Sequence, residues 1–449
     1  MEAERALWAD ADERAAAYIA SVGRRPAFPP REAVAALDAL GGPLPDGPAD
    51  PAATLDLLDD IGSRATVTSN GPNYFGFVVG ALLPIAGAAE RLALAWNQCA
   101  SSAVNSPVMD AVERTAAGWL LEVLDLPREA GVGFGTSATA CGLACLAAAQ
   151  TCLLEKAGWD LQRKGLRAAP QVRIVVPDTV HVTVKKAIRL LGFGTDDIVV
   201  VPTDAYGRLD PALLPALDEM TILCLQAGEV NTGEFDRFAE IVPRAKAAGA
   251  WVHVDGAFGL WVRASRDLAQ LAQGVELADS WTTDGHKTLN TPYDGAVAIC
   301  RRADVLARTM NAEAVYAPSE PDAQKNLTLE FSRRARGLGF WAVLRTLGRS
   351  GVADLVDGYH RRAVAISDGC RPLGVEVLNR VVFNQVLCRL ESPAATRALT
   401  EAVQSDGEVW FGQTVWRGEP AFRLSVSSWR TDDASVARVL AAIGRARSA

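Results

Sequence analysis

An acid and a lysine stand at the ends of two apolar stretches within residues 251–294. Asp255 closes the run WVHV, which has the composition of a buried parallel strand. Lys287 follows a second short stretch, 279–283, and stands beside His286. Open α/β sheets bind ligands beyond the carboxyl ends of their strands, so we expect both side chains at such a crevice. A lysine placed there is a candidate nucleophile that forms a Schiff base with a carbonyl group.

Composition favours a special role for this lysine and disfavours a metal site. Lysine is rare compared with arginine, and Lys287 lies in an apolar, aromatic segment where a generic surface charge is not expected. The chain has four histidines, His181, His253, His286 and His360. None of them has zinc-ligand spacing with a cysteine, so we expect no metal.

Two further segments resemble parts of a ligand site. Gly131 to Thr139 reads GVGFGTSAT and precedes a long helix expected from Ala140 to about Leu154. Its glycines permit a tight turn, and the first N–H groups of the helix form an anion site that suits a phosphate. This glycine-rich segment is not expected to bind a dinucleotide, because no acidic residue follows the next strand at the interval that such a site requires. His181 ends a second strand-and-turn segment, and a helix is expected from Val184 to Leu191.

The motifs HVDGAFG and DSWTTDGHKTLNTPYDGAVAIC resemble those of the pyridoxal-phosphate-dependent decarboxylases of the aromatic-amino-acid and glutamate group. The likeness runs from about Tyr74 to the end of the chain. It implies an α/β fold of type I, similar to aspartate aminotransferase. That fold has a mostly parallel central sheet, an N-terminal helical segment and a small C-terminal α+β domain.

By this resemblance, Lys287 forms the Schiff base with pyridoxal 5'-phosphate and Asp255 pairs with the pyridine nitrogen. Ala257 and His181 lie against opposite faces of the ring. Ala138 and Thr139 bind the phosphate, and His286 lies near it. The chemistry agrees: loss of CO2 leaves electrons on Cα, and a protonated pyridine accepts them only if a carboxylate keeps that proton in place.

Other positions carry weaker predictions. Tyr74 and Phe75, in the turn GPNYFGF, are candidate substrate-pocket residues, although an aromatic run before glycine is more often core. Arg423 matches a position that grips the substrate carboxylate in aminotransferases of this fold, with a structural arginine as the even alternative. Glu229 replaces a usual asparagine in QAGEVNTG, where it either changes the charge preference for substrate or is simply solvated.

A mobile loop tyrosine donates a proton in aromatic-amino-acid decarboxylases. This chain has Tyr316 at the start of the corresponding segment and none between Ala317 and Ser332, so the proton donor is open among Tyr316, His181 and Lys287. The residues that follow, 331–336, are expected to open a helix.

The whole chain of 449 residues, 49% hydrophobic, suits a globular α/β protein in three parts: residues 1–69, 70–347 and 348–449. The first part is expected to contain two or three helices broken by a Pro/Gly-rich link at 41–48, which either cross a homodimer or cap their own chain. A net charge of −8 disfavours nucleic-acid and membrane surfaces. Eight cysteines without a CxxC pair, and an acidic N-terminus, favour a cytoplasmic protein.

The sequence therefore predicts a carboxy-lyase that converts an L-amino acid into an amine and CO2. Three alternatives keep the cofactor and change the reaction: an aldolase or C–C lyase, an oxidative decarboxylase that yields an aldehyde, and an aminotransferase. A non-catalytic protein that binds pyridoxal phosphate is a different class. The joint presence of Lys287, Asp255 and His181 argues against it.

Overall fold

The computed structural model describes residues 1–311 and 320–448, and a seven-stranded sheet is its largest element. The strands are β1 (Gly131–Gly135), β2 (Arg173–Pro177), β3 (Ile198–Val201), β4 (Thr221–Gln226), β5 (Trp251–Asp255), β6 (Ser280–Asp284) and β7 (Ala296–Cys300). Their spatial order is β1-β7-β6-β5-β4-β2-β3. Strand β7 is antiparallel to both of its neighbours, and the other pairs are parallel.

The helices and the second sheet account for most of the other regular structure. The helices are α1 (Glu2–Ser21), α2 (Arg31–Ala35), α3 (Pro51–Gly62), α4 (Pro84–Trp96), α5 (Pro107–Val123), α6 (Ala138–Lys156), α7 (Leu161–Lys164), α8 (Val182–Leu190), α9 (Phe238–Ala247), α10 (Ala303–Met310), α11 (Gly337–Cys370), α12 (Pro393–Asp406) and α13 (Asp433–Ser448). Helix α11 is interrupted at Gly348, where φ is 59°. The second sheet contains β8 (Glu376–Val377), β9 (Gln385–Arg389), β10 (Gly412–Trp416) and β11 (Glu419–Ser425), in the order β10-β11-β9-β8.

Several helix starts follow directly from the sequence. Asp50, Ser106 and Ser392 each precede a proline, and each accepts a hydrogen bond from a backbone N–H of the first helical turn. A short polar side chain satisfies an N–H that has no partner within the helix, and proline has no N–H to satisfy at the first position. These dipeptides therefore define where α3, α5 and α12 begin.

The chain forms two units that do not follow its order. The first unit contains Met1–Ala81, Arg362–Leu378 and Val386–Ala449, and the second contains Leu82–Arg361 and Asn379–Gln385. The first unit thus joins both ends of the chain around the smaller sheet. The three consecutive parts expected from the sequence remain a proposal about the organisation of the chain.

The topology of the large sheet brings six strand ends to one edge. Strands β2, β3, β4, β5 and β6 run in the same direction. Strand β1 has this direction too, because it is antiparallel to β7, and β7 is antiparallel to β6. The residues that follow the carboxyl ends of these six strands therefore emerge at the same edge, where ligands bind in open α/β sheets.

Helix α6 is the central core helix of the second unit. It packs on both β6 and β7, and its buried residues include Cys145, Leu146, Ala149 and Leu153. Among the described residues it is the one helix long and apolar enough to cross a membrane, yet most of it is buried within the protein. Its apolar character is explained by this core position.

A buried ion pair holds the segment before α11. The Arg333 guanidinium donates to both carboxylate oxygens of Glu113 at 2.6 and 2.8 Å, and both side chains are almost fully buried. Arg333 also donates to the carbonyl oxygens of Ala100 and Phe134, at 2.8 and 2.7 Å. These contacts hold residues 331–336 in a non-helical conformation, so the helix expected there is wrong and α11 begins at Gly337.

We expect Arg333→Met to destabilise the second unit by about 3–5 kcal/mol, because the Glu113 carboxylate loses its counter-ion while still buried. Urea unfolding followed by tryptophan fluorescence measures this loss. The double variant Arg333→Met with Glu113→Leu should recover part of it, since no buried charge remains. A single variant within about 1 kcal/mol of the wild type would show that the pair contributes little.

His253 is a neutral core residue rather than a site residue. It lies within β5 and is 1% exposed. Ser280 Oγ accepts a hydrogen bond from Trp251 Nε1 at 3.0 Å and lies 2.9 Å from His253 Nδ1. The serine hydroxyl can then donate to Nδ1, which requires that nitrogen to be unprotonated. Burial lowers the pKa of His253 to about 4.

This burial predicts a pH-dependent contribution to stability. The pKa of His253 is lower in the folded chain than its ordinary value of 6.5, so its contribution is complete above pH 6.5 and is lost as the pH falls towards 4. The total is about 3 kcal/mol. The variant His253→Gln, which does not titrate, should lack this part of the pH dependence. Free energies of unfolding at pH 7 and 4.5 measure it, and identical slopes for both proteins would contradict the assignment.

The first unit contains the N-terminal helices and the aromatic turn. Arg14 on α1 pairs with Asp56 and Asp59 on α3, so the predicted helices pack on each other. Tyr74 stacks on Trp410, with ring centroids 5.2 Å apart, and Phe75 is fully buried. A Cβ at Gly76 would lie 2.0 Å from the Trp410 ring, so this glycine is required for packing against the indole.

Candidate active site

The N-terminus of α6 follows β1 at the ligand edge of the large sheet. Ser137 caps the helix: its hydroxyl accepts from the N–H of Ala140 at 3.3 Å. The N–H of Ala138 donates to Asp284 Oδ1 at 2.7 Å. Within residues 1–311 and 320–448, neither the N–H nor the hydroxyl of Thr139 has a hydrogen-bond partner. Thr139 is partly exposed, so this helix end can receive an anion.

Asp255 ends β5, as the sequence predicts. Its Oδ1 accepts from the N–H of Ala257 at 3.1 Å, which fixes the carboxylate against the turn that follows the strand. In the described part of the chain its Oδ2 has no hydrogen-bond partner. The side chain is largely buried, with 8% of the residue exposed. This oxygen can therefore accept from a donor that enters the crevice.

Lys287 stands on a π-helical turn, Gly285–Leu289, that begins directly after β6. Such turns are rare and often occur at functional sites. A Cβ at Gly285 would lie 2.4 Å from the Phe340 ring, so the turn can pack this closely only with glycine at that position. The Lys287 side chain is 21% exposed.

Asp284 connects the lysine to the N-terminus of α6. Its Oδ2 lies 2.9 Å from Lys287 Nζ, while its Oδ1 accepts from the N–H of Ala138. The register explains this contact, because Asp284 and Gly135 both pair with Ala296 of β7. The Asp284 side chain is only 2% exposed. One buried carboxylate therefore connects two motifs that are far apart in the sequence.

His286 is held as a neutral ring beside this carboxylate. Its Nδ1 accepts from the N–H of Gly295 at 3.3 Å, and its Nε2 lies 3.8 Å from Asp284 Oδ2. Burial is the main cause that lowers the pKa of His286 below its ordinary value. The ring packs on Tyr293, with centroids 4.3 Å apart. A neutral imidazole with Nδ1 as acceptor carries its proton on Nε2.

His181 follows β2 and is the N-cap of α8. Its Nδ1 accepts from the N–H of Thr183 at 3.4 Å and lies 2.7 Å from the Thr183 hydroxyl. The cap fixes the ring at the start of the helix, at the same edge as Asp255. The strand β4 lies between β2 and β5, so His181 and Asp255 belong to two different connections at the same edge.

The loop after β4 is held by its own acid. Glu229 is 2% exposed, and its Oε2 accepts from the N–H groups of Asn231 and Thr232, both at 2.7 Å. The solvated alternative for this residue is therefore wrong. Nearby, Gln226 Nε2 donates to Thr179 Oγ1 at 3.0 Å, which ties the end of β4 to the segment that leads to His181.

The described site residues fall into two groups. Ala138, Thr139, His181, Asp255, Ala257, His286 and Lys287 belong to the second unit and follow the carboxyl ends of its strands. Tyr74, Phe75 and Arg423 belong to the first unit, where Arg423 pairs with Gly412 across β10 and β11. Their substrate-pocket roles stay predictions. Tyr316 lies outside the described residues.

No role was predicted for Asp284 from the sequence. A signal was present: it ends a strand three residues before Lys287, and side chains three apart share one face of a helical turn. Its contact with Ala138 had no such signal. That contact depends on β7 lying between β1 and β6, and sheet order is a tertiary property.

These side chains fit pyridoxal phosphate. The group needs an anion site, an amine that condenses with its aldehyde and an acceptor for its pyridine N–H. The N–H and hydroxyl of Thr139, at the partly exposed end of α6, can bind the phosphate, Lys287 supplies the amine, and Asp255 Oδ2 is an acceptor. All three come from the same edge of one sheet.

Comparison with known proteins agrees with this fit. Residues 47–388 match the model of the pyridoxal-dependent decarboxylase conserved domain. The chain is 28% identical over 382 residues to L-2,4-diaminobutyrate decarboxylase of Rhizobium meliloti, covering 80% of this chain and 74% of the relative. It is 24% identical over 433 residues to phenylacetaldehyde synthase of Arabidopsis thaliana, covering 88% and 86%.

Solved structures show the same fold. The crystal structure of Oryza sativa TDC with pyridoxal phosphate and tryptamine superposes with a TM-score of 0.91 at 24% identity, covering 100% of this chain and 98% of that chain. The expected fold type I is thereby confirmed. With the family match over most of its length, this chain belongs to the pyridoxal-dependent decarboxylases, enzymes whose cofactor is pyridoxal 5'-phosphate.

Proposed function

We propose that this enzyme decarboxylates an L-amino acid to the corresponding amine and CO2. The observation that carries the proposal is the convergence of Asp255, Lys287 and the α6 N-terminus at one sheet edge. When bound there, pyridoxal phosphate accepts the electron pair that CO2 leaves on Cα. Each of the three protein groups then has a separate task.

Asp255 accepts the hydrogen bond of the pyridine nitrogen and keeps the proton on it. The largely buried carboxylate is fixed by the N–H of Ala257, so it needs little reorganisation as charge develops. We place the phosphate at Ala138 and Thr139, where the N–H and hydroxyl of Thr139 are available to it and the N–H of Ala138 stays with Asp284. Lys287 attaches the cofactor covalently and yields its place to the amine of the substrate.

Two groups position the ring of the cofactor. Ala257, directly after the β5 turn, leaves room for a flat ring on one side, and His181 stacks on the opposite side. The N-cap role of His181 fixes its imidazole before the cofactor binds. These two residues would fix the tilt of the bound ring, and groups that bind the substrate would then orient the bond that breaks.

A proton must then reach Cα. Among the groups proposed at the site, His181, Lys287 and Tyr316 can donate one, and we favour His181 because its cap fixes its position. If the proton does not reach Cα, dioxygen can take the two electrons, and hydrolysis then gives an aldehyde, ammonia and hydrogen peroxide instead of the amine. Oxidative decarboxylation is the second candidate function, because phenylacetaldehyde synthase is among the relatives at 24% identity.

The substrate pocket and the assembly complete the proposal. We propose Tyr74, Phe75 and Arg423 as pocket residues and a homodimer as the working form, with the N-terminal helices in its contact surface. Exposed apolar residues on α3, Leu57 and Leu58, support such a contact. All eight cysteines are free thiols, seven of them buried, which supports a cytoplasmic location.

A product screen tests the function directly. The purified protein, supplied with pyridoxal phosphate, is incubated with aromatic, acidic and diamino L-amino acids, and CO2, amine and aldehyde are measured separately. Equal amounts of CO2 and amine support the proposal. CO2 with aldehyde selects the oxidative alternative. Cleavage without CO2 selects a C–C lyase, and α-keto acid without CO2 selects an aminotransferase.

A further inference from the structure

Lys287 faces the buried carboxylate of Asp284, and each oxygen of that carboxylate has its own partner. Asp284 Oδ2 lies 2.9 Å from Lys287 Nζ, and the other oxygen is bound by the N–H of Ala138 at 2.7 Å. The neighbouring His286, at 3.8 Å, is neutral because burial lowers its pKa. Lys287 is therefore the cation that this carboxylate stabilises.

When a substrate amine replaces Lys287 on the cofactor, a positive charge moves to the lysine nitrogen beside Asp284. A substrate enters as an ammonium ion, its nitrogen forms the bond to the cofactor carbon, and the bond from that carbon to Lys287 Nζ breaks. Three hydrogens pass from the substrate nitrogen to Nζ, so the released lysine is an ammonium ion and the total charge is unchanged. The positive charge has moved from the substrate to a site 2.9 Å from Asp284.

We propose that Asp284 is the counter-ion of the released Lys287, and that this positioning residue makes the lysine a good leaving group when a substrate amine arrives. The inference rests on the proposed attachment of the cofactor to Lys287. In this role Asp284 affects the equilibrium in which a substrate amine replaces Lys287 on the cofactor. The hydrogen bond from Ala138 fixes the carboxylate, so the released amine has a defined position beside it.

The variant Asp284→Asn tests the contact with Lys287 separately from the contact with Ala138. Asparagine keeps an oxygen that can accept from the N–H of Ala138, but it has no charge for the lysine. A hydrogen bond to a charged group is stronger than a neutral one, and its loss corresponds to about a tenfold to hundredfold change in an equilibrium constant. Asp284→Ser is a second uncharged variant that keeps an acceptor.

The chain offers a matched control in Asp279. This buried aspartate also pairs with a lysine, Lys246, and accepts a backbone N–H, from Val252 at 2.8 Å. It precedes β6, whereas Asp284 ends that strand. Asp279→Asn therefore makes the same chemical change at the opposite end of the same strand.

The experiment measures exchange on the holoenzyme with ethylamine as the probe. Each protein is titrated with ethylamine at constant pH and ionic strength, the cofactor links are reduced with borohydride, and mass spectrometry gives the fraction still attached to Lys287. Asp284→Asn should need about tenfold to hundredfold more ethylamine for half-exchange than the wild type. Asp279→Asn should match the wild type. Visible circular dichroism checks that cofactor loading is equal.

Three other outcomes would contradict the inference. Half-exchange of Asp284→Asn within about twofold of the wild type, at equal loading, would overturn it. If both uncharged variants fail to load cofactor while Asp279→Asn loads normally, Asp284 is a structural part of the site and the inference is wrong. A wild type without any reducible link would overturn the proposed attachment at Lys287 as well, which separates the two failures.

Discussion

Lys287→Ala should abolish the covalent link to the cofactor and lower turnover by several orders of magnitude. Lys287 is the amine that we propose condenses with the cofactor aldehyde, and alanine has no amine to take its place. The wild type should be yellow with bound cofactor, and borohydride should fix the cofactor to it irreversibly. Visible absorption, mass spectrometry after reduction and turnover of the best substrate measure the three effects.

Lys246→Ala is the matched control for this variant. Lys246 also pairs with a buried aspartate, but it lies on α9, away from the connections that form the site. It should keep both the reducible link and the activity. If the wild type binds no pyridoxal phosphate, or if Lys287→Ala retains a reducible link, the assignment of Lys287 fails.

Asp255→Ala should lower turnover by several orders of magnitude while cofactor still binds. In its proposed role the carboxylate keeps the pyridine nitrogen protonated, and each ~1.4 kcal/mol of lost stabilisation of the carbanionic transition state costs a factor of ten in rate. The phosphate site and Lys287 come from other connections of the sheet, so the reducible link should remain. Steady-state kinetics and borohydride trapping measure the two effects on the same preparation.

Asp255→Asn sharpens this test because it keeps the size of the side chain and removes its charge. It should lose nearly as much activity as the alanine variant, since the proton on the pyridine depends on the negative charge. Either variant with turnover within a few-fold of the wild type would remove Asp255 from the proposed role.

Local sequence patterns predicted most of the elements that carry the site. The helix after Ser137, the strand that ends at Asp255 and the turn that holds Lys287 all occur at their predicted places. Helix α6 is longer than expected by about a turn in total, because Ser137 caps it earlier and its apolar run extends to Lys156. The segment 331–336 differs most, because a buried ion pair overrides its local helix propensity.

The sequence by itself determined the family and its cofactor, because the motifs around Asp255 and Lys287 resemble those of the pyridoxal-phosphate-dependent decarboxylases. Asp255 and Lys287 each follow a short apolar strand, and a strand end can be read from composition alone. Only the tertiary structure decided which side chains meet. The contact of Asp284 with Ala138 exists because β7 separates β1 from β6, and the two partners are 146 positions apart in the sequence. Strand order arises from long-range packing, which no local pattern records.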